Sequence, residues 1–393
     1  MILPKSSVLC LAAALSGAAN AAADLPKWAQ PAVDSGLALG GLNGIALVKA
    51  LGETEGTCNI FNIKYRQEWR TLSATTRKSF IAAAKCVQKK PSLLPAGQIP
   101  GAKTMWDDFV FVHMSQTPTI HLTGNFLTWH RYFLQTFEKK LQECGYNGNL
   151  PYWEWGLDVN SLQTSPLFDG STTSLGSDGV PVPHQGMQIL MPFNDKPVTF
   201  KAGTGGGCLT SGPFSDLVIH LGPVAKPAYG SNDPVGQADP TQDNPRCLSR
   251  DLSSDTLKRF SSFRNTTELI IGQQTVETFQ ALMSGDPRYI LGDVGVHGGG
   301  HDSVGGEMSD PFTSPNDPLF YLHHAQIDRV YWIWQMQDFN SRQGVSGTQT
   351  LLNLPPSLNT TVEDLLNVAP LNNAVKIKDM MNTVGGPLCY VYI

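Results

Sequence analysis

Charge is scarce in this 393-residue chain. Only 16% of residues are Asp, Glu, Lys or Arg, and 28 Lys plus Arg nearly balance 33 Asp plus Glu. The net charge of -5 is spread without a basic block or an acidic tail. That excludes an electrostatic footprint for nucleic acid or an anionic membrane as partner. No apolar run beyond the first residues is long enough to span a bilayer. No cysteines stand in a CxxC pair, which argues against zinc–thiolate and thioredoxin-type sites. No internal repeat of fixed period appears. Histidine is missing from the first 112 residues. Hydrophobic residues, at 41%, are sufficient for a sizeable core.

The first residues read as an export signal. Lys5 gives the positive end, Val8 to Leu15 a short apolar run, and Ala19-Asn20-Ala21 a small-residue cleavage site. Cleavage falls after Ala21, or after Ala23, and leaves one domain over residues 24–393. Cys10 is removed with the signal. Cys58, Cys86, Cys144, Cys208, Cys247 and Cys389 remain, an even number that suggests three disulfides in a secreted, extracellular chain. Asn265-Thr266-Thr267 and Asn359-Thr360-Thr361 are N-glycosylation sequons.

Helical periodicity predicts a mainly α protein with little strand. Arg66 to Lys90 reads as helical, with Ser73 as a plausible N-cap and Phe80, Ala83, Ala84 and Val87 on one face. Residues 104–114 form a second such stretch. Phe126 to Cys144 is the clearest amphipathic helix, stopped by Gly145. Helical pattern returns over Thr275 to Met283 and Pro318 to Phe339. Residues 157–250, rich in Gly, Pro, Ser and Asp, read as a loop-rich excursion without the apolar runs for a core of its own. Tyr331, Trp332, Trp334 and Phe339 read as helix core rather than a cofactor box.

Seven of the nine histidines fall in two short windows: His113, His121 and His130, then His297, His301, His323 and His324. His184 and His220 stand alone and read as surface or hydrogen-bonded residues. Neutral imidazole suits copper, zinc, iron and nickel. His297 and His301 are spaced i, i+4, which puts both on one face of a helix. Gly298, Gly299 and Gly300 between them each cost about 1 kcal/mol of helix propensity against Ala, so the segment is either a helical turn held by packing or a tighter loop. His323 and His324 point about 100° apart on a helix. One is therefore a ligand and the other a support, with Asp328 four residues further on as a second supporting group and Arg329 able to pair with a core carboxylate. Two triads without carboxylate or thiolate point to two coppers rather than a hydrolytic di-zinc site.

The stretches His113-Met114-Ser115…His121-Leu122-Thr123-Gly124 and Phe126-Leu127-Thr128-Trp129-His130-Arg131 resemble the first copper motif of the tyrosinase and catechol oxidase (polyphenol oxidase) family. Pro151-Tyr152-Trp153-Glu154-Trp155 is similar to the family's PYWxW segment. Asp317-Pro318-Leu319-Phe320-Tyr321-Leu322-His323-His324…Asp328-Arg329 resembles its second copper motif. The resemblance implies a four-helix bundle holding a dinuclear type-3 copper site. His113, His121 and His130 would bind one copper, His297, His301 and His324 the other, and His323 would stand behind them. It implies a small phenolic substrate, with O2 as co-substrate, and conversion of o-diphenols to o-quinones. Tyr390-Val391-Tyr392 resembles the family's closing tyrosine motif, and no C-terminal shielding domain follows it, as in the short secreted fungal form.

Further expectations rest on that resemblance. Thr119 stands where some relatives place a cysteine joined to the second histidine, so no thioether forms. Gly298 stands where many monophenol-hydroxylating relatives carry Asn, and the nearest upstream acid is Asp293 rather than Glu; both favour diphenol oxidation. True tyrosinase, o-aminophenol oxidase and, less well, an O2 carrier are the alternatives. Pro311 and Phe312 lie near the family's gate to the substrate mouth. Arg66 is expected to stack on Tyr390 or Tyr392. Six cysteines allow 15 pairings. Chain position favours Cys208–Cys247 within the excursion, Cys86–Cys144 near two helix C-termini, and Cys58–Cys389 tying the ends together.

Overall fold

The computed structural model describes residues 26–193, 196–227 and 236–393. The export signal expected over residues 1–21 or 1–23 lies outside them. Ten α-helices occur among the described residues: α1 (Gln30–Asp34), α2 (Leu37–Gly52), α3 (Ala74–Val87), α4 (Met105–Ile120), α5 (Phe126–Glu143), α6 (Ser254–Phe260), α7 (Phe263–Gly272), α8 (Val276–Met283), α9 (Gly295–Val304) and α10 (Leu319–Gln337). Strands are short, and each described sheet has two of them. The protein is mainly helical, as its periodicity predicts.

Local chemistry sets the helix ends. Ser73 caps α3 by accepting from Thr76 N, and Thr104 and Asp107 form a capping box at α4. Asp317 starts α10 by accepting from Leu319 N at 2.8 Å, while its carboxylate pairs with buried Arg250 at 2.7 Å. Arg66 departs from the sequence reading. It lies on the strand Lys64–Arg66, which runs parallel to Tyr390–Tyr392, and between it and the start of α3 at Ala74 there is only a 3-10 turn, Trp69–Thr71. Pairing with a strand more than 300 residues away overrides a local helical pattern.

The core is continuous from Leu39 to Tyr392 and centres on α4, α5 and α10. Tyr331, Trp332 and Trp334 are buried in it. At its middle Asp328 Oδ1 accepts from Arg131 Nε at 2.6 Å, and Oδ2 accepts from the hydroxyls of Tyr390 and Tyr392, both at 2.6 Å. Arg66 stacks its guanidinium 3.6 Å from the Tyr390 ring centre and pairs with Glu138 at 2.5 Å. Arg329 pairs with Glu154 at 2.7 Å. Three disulfides, Cys58–Cys389, Cys86–Cys144 and Cys208–Cys247, match the expected pairing.

Candidate metal centre

Four helices deliver the histidines to one point. His113 lies in the middle of α4. His121 is the residue at which α4 ends, in extended conformation, and Leu122 follows with φ of 50°. His130 lies one turn into α5, His297 and His301 on α9, and His323 and His324 on α10. The three glycines between His297 and His301 are helical. A Cβ on Gly299 would lie 2.4 Å from Phe260 Cβ, and one on Gly300 would lie 2.3 Å from the His323 ring. Their propensity cost is offset by an approach of α9 to α6 and α10 that larger residues could not make.

The ring centres of His113, His121 and His130 form a triangle with sides of 5.1, 5.2 and 5.6 Å. Those of His297, His301 and His324 form one of 4.7, 5.2 and 5.2 Å. The triangles meet where His130 stacks on His324, 4.3 Å apart and 9° from parallel. In each group the potential ligand atoms lie within 4.8 Å of one another.

Backbone carbonyls orient the rings. Nδ1 donates to Phe312 O at 2.8 Å in His113, to Thr117 O at 3.2 Å in His121, to Phe126 O at 2.8 Å in His130 and to Met308 O at 2.8 Å in His301. Carbonyls only accept, so each bond places the proton on Nδ1 and leaves a lone pair on Nε2. Nε2 of His113, His130, His297 and His323 is buried with no hydrogen-bond partner among the described residues, and Nε2 atoms of His301 and His324 face each other at 3.2 Å. Unpaired inward lone pairs on neutral imidazoles are the donor set that a pair of copper ions requires.

His323 differs. Its Nδ1 accepts from the Trp155 indole N–H at 3.2 Å, so its proton sits on Nε2 and no lone pair is left for a metal. Burial holds all seven rings neutral. His121 is lowered to about 4 and His301 to about 3, chiefly by desolvation. His113, His130, His297, His323 and His324 lie well below the usual value, first from burial and then from neighbouring histidines.

The other expected site residues fall as follows. Asp328 bonds to Arg131, Arg66, Tyr390 and Tyr392 rather than to an imidazole, and so joins α10 to the neighbour of His130. Asp293 Oδ1 accepts from Gly295 N at 2.7 Å and so fixes the turn into α9. Gly298 is half-buried, and a Cβ there would meet Val294. Pro311 is exposed and Phe312 half-buried, with the Phe312 carbonyl on His113. Thr119 gives its hydroxyl to Gln116 O. His184 lies 3.3 Å from Asp251 and His220 2.8 Å from Asp243, both away from the histidine clusters. His121 and His297 alone among the seven are half-buried, with rings 6.0 Å apart, and they mark the open side of the site. The orienting carbonyls of Thr117, Phe126 and Met308 were not foreseen. Trp155 lies in the Pro151–Trp155 segment, whose sequence does not mark the hydrogen bond it gives to His323.

The comparisons agree with this geometry. Residues 103–337 match the family model described as the common central domain of tyrosinase. The tyrosinase-like protein orsC of Emericella nidulans is 38% identical over 76% of this chain and 81% of its own. The N-acetyl-6-hydroxytryptophan oxidase ivoB of the same organism is 34% identical over 85% of this chain and 93% of its own. A polyphenol oxidase variant from Thermothelomyces thermophila superposes with a TM-score of 0.84 at 34% identity, over 90% of this chain and 97% of that one. Two triads of neutral histidine on a four-helix frame, and a family match over more than half the sequence, have one common explanation: the chain belongs to the tyrosinase family of dinuclear type-3 copper oxidoreductases.

Proposed function

We propose that the protein is a secreted catechol oxidase whose single catalytic domain spans residues 24–393. In this reading His113, His121 and His130 hold one copper, His297, His301 and His324 hold the second, and His323 is a positioning residue. When bound, the copper pair supplies reversible two-electron chemistry toward O2. Two o-diphenols give up four electrons and four protons to one O2, leaving two o-quinones and two waters. The protein's part is to keep six imidazoles neutral, to aim the Nε2 atoms of His113, His121, His130 and His301 through backbone carbonyls, and to leave one side open between His121 and His297. The three disulfides and the absence, among the described residues, of a helix able to cross a membrane are compatible with secretion.

The observation that favours diphenols is Gly298. A monophenol, with a pKa near 10, must lose its proton before it can bind as phenolate. Gly298 offers no side chain to orient a water, and the Asp293 carboxylate is engaged by Gly295 N–H. O2 uptake by copper-loaded protein with 4-methylcatechol, tyramine and o-aminophenol tests this. Catechol turnover should exceed tyramine turnover by at least tenfold, and Gly298→Asn, checked for copper content, should gain on tyramine. Comparable wild-type rates on both substrates would overturn the reading. The relative named for N-acetyl-6-hydroxytryptophan favours a second reading, oxidation of a hydroxyindole. That compound belongs in the same assay.

A further inference from the structure

A cavity of about 480 Å³ lies beside the loop that follows His121, bounded by Leu122, Glu277, Arg288, Tyr289, Thr348 and Asn359. No histidine lines it. We propose that the first sugars of an N-linked glycan on Asn359 occupy this cavity and brace the His121 loop. The idea goes beyond the catalytic reading but rests on its secretory part.

Two sequons are present, and the fold treats them differently. Asn265 is locked in the capping box of α7, where its Oδ1 accepts from Ser262 N at 3.1 Å, and Thr267 is fully buried. Asn359 and Thr361 are both exposed. Attachment would replace one Asn359 Nδ2–H by a bond to the anomeric carbon of a lipid-diphosphate-linked oligosaccharide. The lipid diphosphate leaves and the amide proton is released.

The cavity suits a neutral, hydroxyl-rich ligand. Its charged groups are already engaged: Arg288 pairs with Asp286 at 2.6 Å, and Glu277 accepts a hydrogen bond from the Tyr289 hydroxyl. An ionic ligand would gain little there, whereas hydroxyl groups can share these polar atoms. The Tyr289 ring, 45% exposed, offers a face on which a sugar ring can pack. The volume is within the range of small-ligand sites.

The occupant would touch the metal-bearing loop through few intermediates. Thr360, next to Asn359, is buried against Gly124, where a Cβ would lie 2.5 Å from Thr360 Cβ. Thr360 N donates to Gly347 O at 2.9 Å and Gly124 N to Thr348 O at 3.0 Å. Gln280 Nε2 donates to Thr123 O at 2.9 Å and Arg288 Nη2 to Leu122 O at 3.4 Å. These bonds hold Leu122 at its positive φ and thereby fix His121 beside it.

The test is the full chain secreted from yeast behind a heterologous leader, so that failure of the native signal cannot mask the result. Peptide mass mapping should find Asn359 occupied and Asn265 bare. Asn359→Gln and Thr361→Ala should lower Tm by about 2–4 °C and speed amide exchange at 122–124 and 346–348 several-fold. Thr361→Ser, which keeps the sequon, should restore both. Tyr289→Ala should loosen the same amides with the glycan still attached. An unoccupied Asn359 in the secreted protein overturns the proposal. So does enzymatic removal of the glycan from native protein with Tm and exchange unchanged, since the sugar would then stand free in solvent.

Discussion

The Trp155 indole N–H donates to His323 Nδ1 at 3.2 Å, whereas Nδ1 of the adjacent His324 has no hydrogen-bond partner among the described residues, and on this difference rests the proposed division of the two into a support and a ligand. His324 keeps its Nε2 directed at His301. His324→Ala is therefore expected to lower copper from two ions per chain to about one, while His323→Asn retains two. Trp155→Phe should likewise keep both ions, because the indole N–H holds His323 and touches none of the six proposed ligands. Copper content after dialysis against graded chelator measures all three.

Arg66 is fully buried between Glu138, Asp328 and the Tyr390 ring. Arg66→Ala leaves two carboxylates in the core without that partner. The expected destabilisation is about 3–5 kcal/mol, far above that of a solvated surface arginine. Urea unfolding of the variant decides it, and an unchanged midpoint would show that Arg66 closes nothing.

Asp328 gives the fold an acid limit. Burial opposes its charge, yet Arg131, Arg66 and the two tyrosine hydroxyls prevail and hold its carboxyl below the usual value. A depressed carboxyl contributes stability that is full above its unfolded value, about pH 4, and is lost as pH falls through the folded value. Stability should therefore fall below about pH 4. The slope should be shallower in Asp328→Asn, which is less stable at neutral pH. Thermal melts from pH 2.5 to 7 report both effects.

The glycines of α9 should not tolerate a methyl group equally. Gly300→Ala drives a Cβ into the His323 ring, and Gly299→Ala drives one into Phe260 and Ser261. Both variants should lose copper or fail to fold. At Gly298 the nearest atoms belong to Val294, the closest at 2.8 Å, outside the histidine cluster, so Gly298→Ala should shift Val294 and keep two coppers. Metal analysis and circular dichroism on the three variants rank them.

Loop length ranks the disulfides. Cys58–Cys389 closes 331 residues, Cys86–Cys144 closes 58 and Cys208–Cys247 closes 39. Chain entropy then makes the first worth about 2 kcal/mol more than the last. Paired Cys→Ser variants compared by denaturant midpoint test that order.

The two histidine clusters were legible in the sequence because histidine is rare and chemically distinctive. Seven imidazoles in two windows could scarcely serve a generic core. The cysteines were legible for the same reason. What could not be read were groups that every residue carries. The carbonyls of Thr117, Phe126 and Met308 aim the imidazoles, yet nothing in a sequence marks one carbonyl from another. Arg66 was misplaced on a helix because its strand partner is distant in the chain. The Gly298-Gly299-Gly300 segment stayed open between helix and loop until the close packing of Phe260 and His323 decided it.

The pairing of Lys64–Arg66 with Tyr390–Tyr392 also imposes an order on biosynthesis. A ribosome finishes every histidine of the centre before it makes Tyr390, which follows Asp328 by 62 residues. Until that strand emerges, Asp328 lacks both tyrosine hydroxyls, and the helices bearing His130 and His324 lack part of what clamps them together. Metal loading of the nascent chain would meet a half-built socket. A complete socket therefore exists only once Tyr390–Tyr392 has been made and has closed over the hub.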